Sequence, residues 1–200
     1  PGETYQSHIN TLRSLVQAKI DNIEVYTCMM LKGSELDTPE EREKWNLQTK
    51  FRILPRDFTQ MKNGRNVIET EECVISSNSL TFEEYVELRL LAFVLWTTNV
   101  QIAYDAIKKL FSELELDLFE LFLQIMKTRD LAPSGVIEAC NSFRKATITE
   151  LWNSHEEIIE HFQNESEYQK LLNGEVGINV IQFHHALVMS KFMEEWTENV

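Results

Sequence analysis

Two hundred residues carrying a formal net charge of −13 argue against nucleic acid or an anionic membrane surface as a direct partner, because no basic excess exists to neutralise phosphates. With 43% hydrophobic and 26% charged residues, the composition is globular and allows a sizeable core, in one large domain or two small ones. Cys28, Cys73 and Cys140 lie far apart with no C-x-x-C spacing, which indicates neither a disulfide framework nor a metal site and points to a reducing compartment.

The chain opens on Pro1-Gly2-Glu3-Thr4, a turn signal. Thr4 is an N-cap candidate for a helix carrying Ile9, Leu12, Leu15, Val16 and Ile20 at helical spacing. NIEVYTCMML (22–31) is a β-branched and aromatic run closed by Lys32-Gly33-Ser34, and reads as a buried strand of parallel-sheet type. In such a strand Cys28 is a buried structural thiol before it is a nucleophile. Thr38-Pro39-Glu40-Glu41 starts a short helix to about Trp45. KFRILP (50–55) follows as a short strand stopped by Pro55. This is the grammar of βα units. Asn63-Gly64, between FTQM and NVIETEECVIS, signals a hairpin. The Glu69–Glu72 cluster reads as its solvated face.

From residue 80 onward the pattern is helical. Thr81-Phe82-Glu83-Glu84 caps a helix to about residue 111, whose LLAFVLW centre is apolar nearly all round and belongs in the middle of a bundle. Further helices are expected over 116–129, from Pro133, from a Thr147/Glu150 cap towards His161, and over 178–196. LRLLAFVLW is too short to cross a membrane, and no repeat or low-complexity segment is present. The fold class is therefore α+β, mostly α, with residues 1–79 and 80–200 as two domains.

Candidate chemistry is sparse. Glu157 and His161 share a helix face, but Ile158 stands where a Glu-x-x-His metal motif needs its carboxylate. His184 and His185 diverge by about 100° on a helix, so one of them packs on the bundle face with a hydrogen bond to backbone. No nucleophile elbow and no Gly-rich phosphate loop is present. Arg52 and Arg56 flank Ile53-Leu54-Pro55 at a strand end, where α/β folds place ligands. They are either an anion-binding pair or partners in structural salt bridges.

Three segments together resemble one family. PGET before a helix is similar to a segment of radical S-adenosylmethionine enzymes that follows a late barrel strand. IEVYTCMMLKGSEL resembles the next strand and its loop, with Lys32 where relatives commonly carry Pro. TKFRILPRDF, a Glu-containing hairpin and SLTFEEYVELRLLAF resemble the tail of the subgroup that also has an N-terminal cobalamin-binding domain. The match covers roughly residues 1–95; the helices after about residue 100 resemble nothing further.

The resemblance implies that residues 1–79 are the last βα units of a partial (β/α) barrel with its hairpin, and that residues 80–200 are a helical C-terminal domain. It implies S-adenosylmethionine, a [4Fe–4S] cluster and, where the subgroup uses it, cobalamin as cofactors of an intact parent. The C-x-x-x-C-x-x-C loop that holds such a cluster is not in this sequence, so the 200 residues are expected to be a fragment, inactive alone and binding no cofactor. By family position Pro1, Gly2, Glu3, Thr4, Val25 and Tyr26 would lie on the S-adenosylmethionine side, with Arg52 and Arg56 towards substrate. The implied partners are the parent's N-terminal barrel and cobalamin domains, and the uncovered strand 24–31 would make the fragment self-associate. The expected location is cytoplasmic. The rival reading is an acidic helical protein-interaction module without enzymatic activity. A helical-bundle metalloprotein ranks third, for want of paired Glu-x-x-His motifs.

Overall fold

A computed structural model describes residues 2–20, 22–99 and 104–200. Ten α-helices and two strands are described: α1 (Tyr5–Gln17), α2 (Pro39–Lys44), β1 (Gln48–Gln60), β2 (Asn66–Ser76), α3 (Phe82–Asn99), α4 (Asp105–Glu113), α5 (Leu118–Thr128), α6 (Ser134–Thr149), α7 (His155–His161), α8 (Glu165–Leu172), α9 (Val180–Leu187) and α10 (Met193–Asn199). The fold is α+β and mostly helical, with one antiparallel hairpin and a helical C-terminal region. These elements form two compact units, neither of them contiguous in sequence. One contains Gly2, Thr27–Phe82 and Ala146–Val180; the other contains Glu3–Tyr26, Glu83–Lys145 and Ile181–Val200.

In the first unit β1 and β2 pair antiparallel, from Gln48↔Ser76 to Gln60↔Asn66. The turn forms at the expected Asn63-Gly64: Gly64 takes φ +80°, and its N–H donates to Met61 O at 2.8 Å. Pro55 does not stop the strand. β1 continues through it, and the ladder skips from Ile53↔Thr70 to Phe58↔Ile68. The irregularity accommodates a residue that cannot donate to a ladder, and next to it Arg56 adopts φ +63°.

Ile53 and Ile68 on the hairpin close a core with Ile158, Phe162, Tyr168 and Leu171 from α7 and α8. Backbone bonds lock the layers together: Phe51 and Trp152 exchange two, at 2.9 and 2.7 Å. The buried Asn66 amide donates to Phe162 O at 2.9 Å. Gly177 is required where it stands, since its φ is +64° and a Cβ there would come within 2.6 Å of Leu171 Cδ2.

The expected parallel strand over 22–31 is not formed. Residues 28–30 instead lie antiparallel along β2: Met29 bridges Cys73, Val74 N–H donates to Cys28 O at 2.9 Å and Met30 N–H to Glu72 O at 2.8 Å. Local antiparallel pairing to an adjacent hairpin satisfies these groups without a crossover. Cys28 is consequently exposed and not a buried thiol.

The helical unit is built on α3, whose Leu90, Leu91, Ala92, Phe93, Val94 and Leu95 are all buried. A helix apolar on every side sits at the centre of its packing. Phe93 stacks on Phe143 at 4.7 Å, and Trp196 meets Phe93 edge-on at 5.5 Å. The long helix expected to residue 111 is instead α3 ending at Asn99 and α4 from Asp105; the intervening four residues lie outside the described set. Thr147 is buried inside α6 and caps nothing; α7 is capped by Ser154, whose hydroxyl accepts from Glu157 N–H. The final helix is interrupted by a π turn over Val188–Phe192. A Cβ on Gly135 would stand 2.4 Å from Phe192 Cδ1, so α6 begins on a residue small enough to admit that ring. Glu195 then accepts from Gly135 N–H at 2.6 Å, a carboxylate placed where helix N-termini favour negative charge. No described helix is long and apolar enough to cross a membrane.

Candidate functional site

The residues singled out by family position occupy ordinary structural roles. Gly2 takes φ +83°, with the Trp45 ring 3.3 Å from where a Cβ would stand. The Thr4 hydroxyl caps α1 by accepting from Ser7 N–H at 3.1 Å, and Ser7 Oγ accepts from Thr4 N–H at 2.8 Å. Glu3 lies 3.3 Å from His8 Nδ1. Val25 is half-buried and Tyr26 exposed; the Tyr26 hydroxyl donates to Glu24. Pro1 lies outside the described residues.

Arg52 and Arg56 part ways. Arg52 is held by Glu71 through Nε and by Glu150 at 3.4 Å through Nη1. Burial opposes its charge, yet Glu150 and Glu71 raise its pKa above the ordinary value. This is the structural salt bridge weighed against the anion site. Arg56 is exposed, and its N–H donates to Gly177 O at 3.2 Å.

A second ion cluster joins the loop after residue 31 to the hairpin. Arg42 grips Glu72 with two guanidinium nitrogens, at 2.8 and 3.0 Å, and Asp37 at 2.7 Å. Thr49 adds a hydroxyl to Glu72 at 2.6 Å. The Arg42 hydrogen bonds hold the Glu72 carboxyl below the ordinary carboxylate range against the opposing effect of burial, and Asp37 is lowered by the same guanidinium. The side chains of Glu71 and Glu72 are 10% and 14% exposed, so these two are not part of a solvated face.

The helical unit carries an open groove of about 560 Å³ between the end of α1, the end of α3, α4 and the α4–α5 loop. Its volume is that of a small-molecule site. Val16, Ile20, Phe111, Leu116 and Leu118 supply the apolar lining. Lys108 Nζ donates to Asn99 O at 2.9 Å and pairs with Asp105 at 2.6 Å; Lys19 Nζ donates to Ser112 Oγ at 3.0 Å. The groove offers shape and apolar area, with its cations already engaged by neighbouring groups.

The histidines divide similarly. His184 is buried, its Nε2 lies 3.1 Å from Ser142 Oγ, and its ring is edge-on to Phe143 at 5.4 Å. It therefore packs on the bundle face as expected, with a hydroxyl among its partners. Burial lowers the pKa of His185, which lies 4.8 Å from the Trp96 ring. Glu157 and His161 do not act together: Glu157 accepts from Asn153 N–H at 2.9 Å, and His161 Nε2 faces Glu167 at 3.1 Å. Among the described residues no group of three or more His, Cys, Asp or Glu side chains is arranged to hold a metal ion. Cys73 and Cys140 are buried, and burial pushes the Cys140 thiol up to about 11. The three thiols do not fit an iron–sulfur cluster, and no step through one is derived.

Sequence reasoning found Arg52 but missed Arg42, which the i+30 pairing with Glu72 brings into use. The groove was also missed, because its lining comes from segments far apart in sequence. No family model matches the chain, and no curated protein matches it significantly.

Proposed function

We propose that this chain is the closing portion of a radical S-adenosylmethionine enzyme of the cobalamin-domain subgroup, supplying the last elements of a partial barrel and a helical domain, and inactive alone. The observation that carries the reading is the ordered set of segments PGET, IEVYTCMMLKGSEL and TKFRILPRDF followed by a Glu-containing hairpin, and a hairpin over Gln48–Ser76 agrees with the last of them. In that parent the adenosyl radical chemistry belongs to the cofactors, while the protein positions the reactants and excludes water. Gly2, Glu3, Thr4, Val25 and Tyr26 would border S-adenosylmethionine and the exposed Arg56 would face substrate, in a cytoplasmic enzyme. Arg52, tied to Glu71 and Glu150, would hold the strand in place.

The test is to take the complete reading frame that encodes these residues, express it anaerobically with iron and sulfide, and assay formation of 5′-deoxyadenosine from S-adenosylmethionine. The complete protein should form it and the 200-residue chain should not. A complete reading frame without C-x-x-x-C-x-x-C would overturn the proposal.

One observation favours the rival reading, an acidic helical interaction module. Leu110, Leu114 and Leu116 are all more than half exposed, and Leu116 also lines the groove. Apolar side chains gathered at a groove are a usual mark of a binding surface.

A further inference from the structure

We propose that the backbone edge running through Cys28 pairs with the same edge of a second copy of this chain, antiparallel and centred on Cys28. The Cys28 carbonyl and the Met30 N–H are both turned towards β2. Backbone groups of successive strand residues point to opposite sides, so Thr27 and Met29 face away from β2. Among the described residues their backbone N–H and C=O groups make no hydrogen bond. Large apolar side chains accompany this open edge: Tyr26 is 78% exposed, Leu31 62% and Met29 43%. An edge with free donors, free acceptors and apolar cover is a template for strand addition.

The register follows from which residues face outwards. A two-fold antiparallel pair must set outward residues against outward residues, which leaves centres on Thr27, Cys28 or Met29 near the middle of the run. Centring on Thr27 sets Lys32 against Asn22 and Glu24 against Met30. Centring on Met29 sets Lys32 against Tyr26. Only the Cys28 centre continues along the sequence to place Glu24 of each copy opposite Lys32 of the other, and symmetry makes that ion pair twice. Thr27 then exchanges backbone bonds with Met29 of the other copy. Cys28 faces itself across a non-hydrogen-bonded position, where strands come close enough for two thiols to be bridged. Lys32 is exposed. Glu24 accepts from Asn22 at 3.0 Å and from the Tyr26 hydroxyl, contacts that favour its ionised form.

This inference goes beyond the radical-enzyme reading and does not require it. Its failure would leave the 5′-deoxyadenosine assay untouched, and failure of that assay would leave the edge as it is. The experiment uses the 200-residue chain itself. Sedimentation over the micromolar to sub-millimolar range should show a concentration-dependent dimer. Diamide should link the dimer through Cys28: two thiols lose two protons and two electrons to the diazene, which becomes a hydrazine. C28S should keep the dimer and lose the link. K32E should weaken dimerisation about tenfold, from two opposed like-charge pairs, and E24K/K32E should restore it. A monomer throughout, or a dimer that neither links through Cys28 nor responds to the charge reversal, would overturn the proposal.

Discussion

The hairpin unit and the helical unit are held together by different physics. The hairpin unit depends on directional contacts: the Arg42–Glu72–Asp37 and Arg52–Glu71–Glu150 ion networks, backbone bonds to Trp152, and a glycine at positive φ. The helical unit depends on apolar area, with Phe93, Phe119, Phe122, Phe143 and Trp196 all buried. Directional networks respond to protonation and to single atoms out of place. A packed aromatic core responds to volume and little to pH. The comparison therefore separates two kinds of perturbation, and each can be tested on its own.

The largest effect is expected in the helical unit. Phe143→Ala removes a fully buried ring stacked on Phe93 and should cost about 3–5 kcal/mol in urea denaturation, because the cavity cannot collapse. A cost below 1 kcal/mol would mean that the core is loose and the contrast between the units false. In the hairpin unit, Gly177→Ala adds a Cβ at φ +64° and against Leu171, and should cost about 1–3 kcal/mol. Gly64, at φ +80° with open space around it, should cost less on the same change, which distinguishes close packing from backbone strain.

The smallest effect is the most diagnostic. Glu72→Gln should cost about 1–2 kcal/mol at neutral pH, by breaking charge-assisted bonds to Arg42. The pH dependence follows from the direction of the Glu72 shift. Its folded pKa lies below the ordinary value, so its contribution is fully present above the ordinary carboxylate range and is lost as pH falls through the folded pKa. The wild-type chain should lose stability over that acid window and Glu72→Gln should lose less of it, as read by thermal denaturation at stepped pH. Identical acid profiles would remove the Glu72 network from the account.

Local chemistry was legible in the sequence wherever the chain decides its own conformation within a few residues. The Thr4 and Thr38 caps, the Asn63-Gly64 turn and the all-apolar α3 are of this kind. What failed depended on partners distant in the chain. The run 22–31 has the composition of a buried strand, but composition does not say which strand lies beside it, and pairing with the hairpin left Tyr26 and Leu31 in solvent. Pro55 looked like a stop because a proline breaks a ladder; the irregularity after Ile53 bypasses it. The Thr147/Glu150 cap failed because packing in the helical region carried α6 past it. Of the candidate site, Arg52 was legible as one of two alternatives, while the groove and Arg42 depend on tertiary placement that no local pattern carries.

The π turn over Val188–Phe192 gives the last helix one residue more than a regular α-helix would hold over the same rise. Deleting any one of its five residues would restore ordinary helical geometry there and rotate everything after it by about 100°. Trp196 would swing off Phe93 and away from Thr98, whose hydroxyl its indole N–H reaches at 3.3 Å, and Glu195 would leave the start of α6 unanswered. The length of this turn is thus under stricter constraint than the identity of its residues: the segment can change letters more easily than it can lose one.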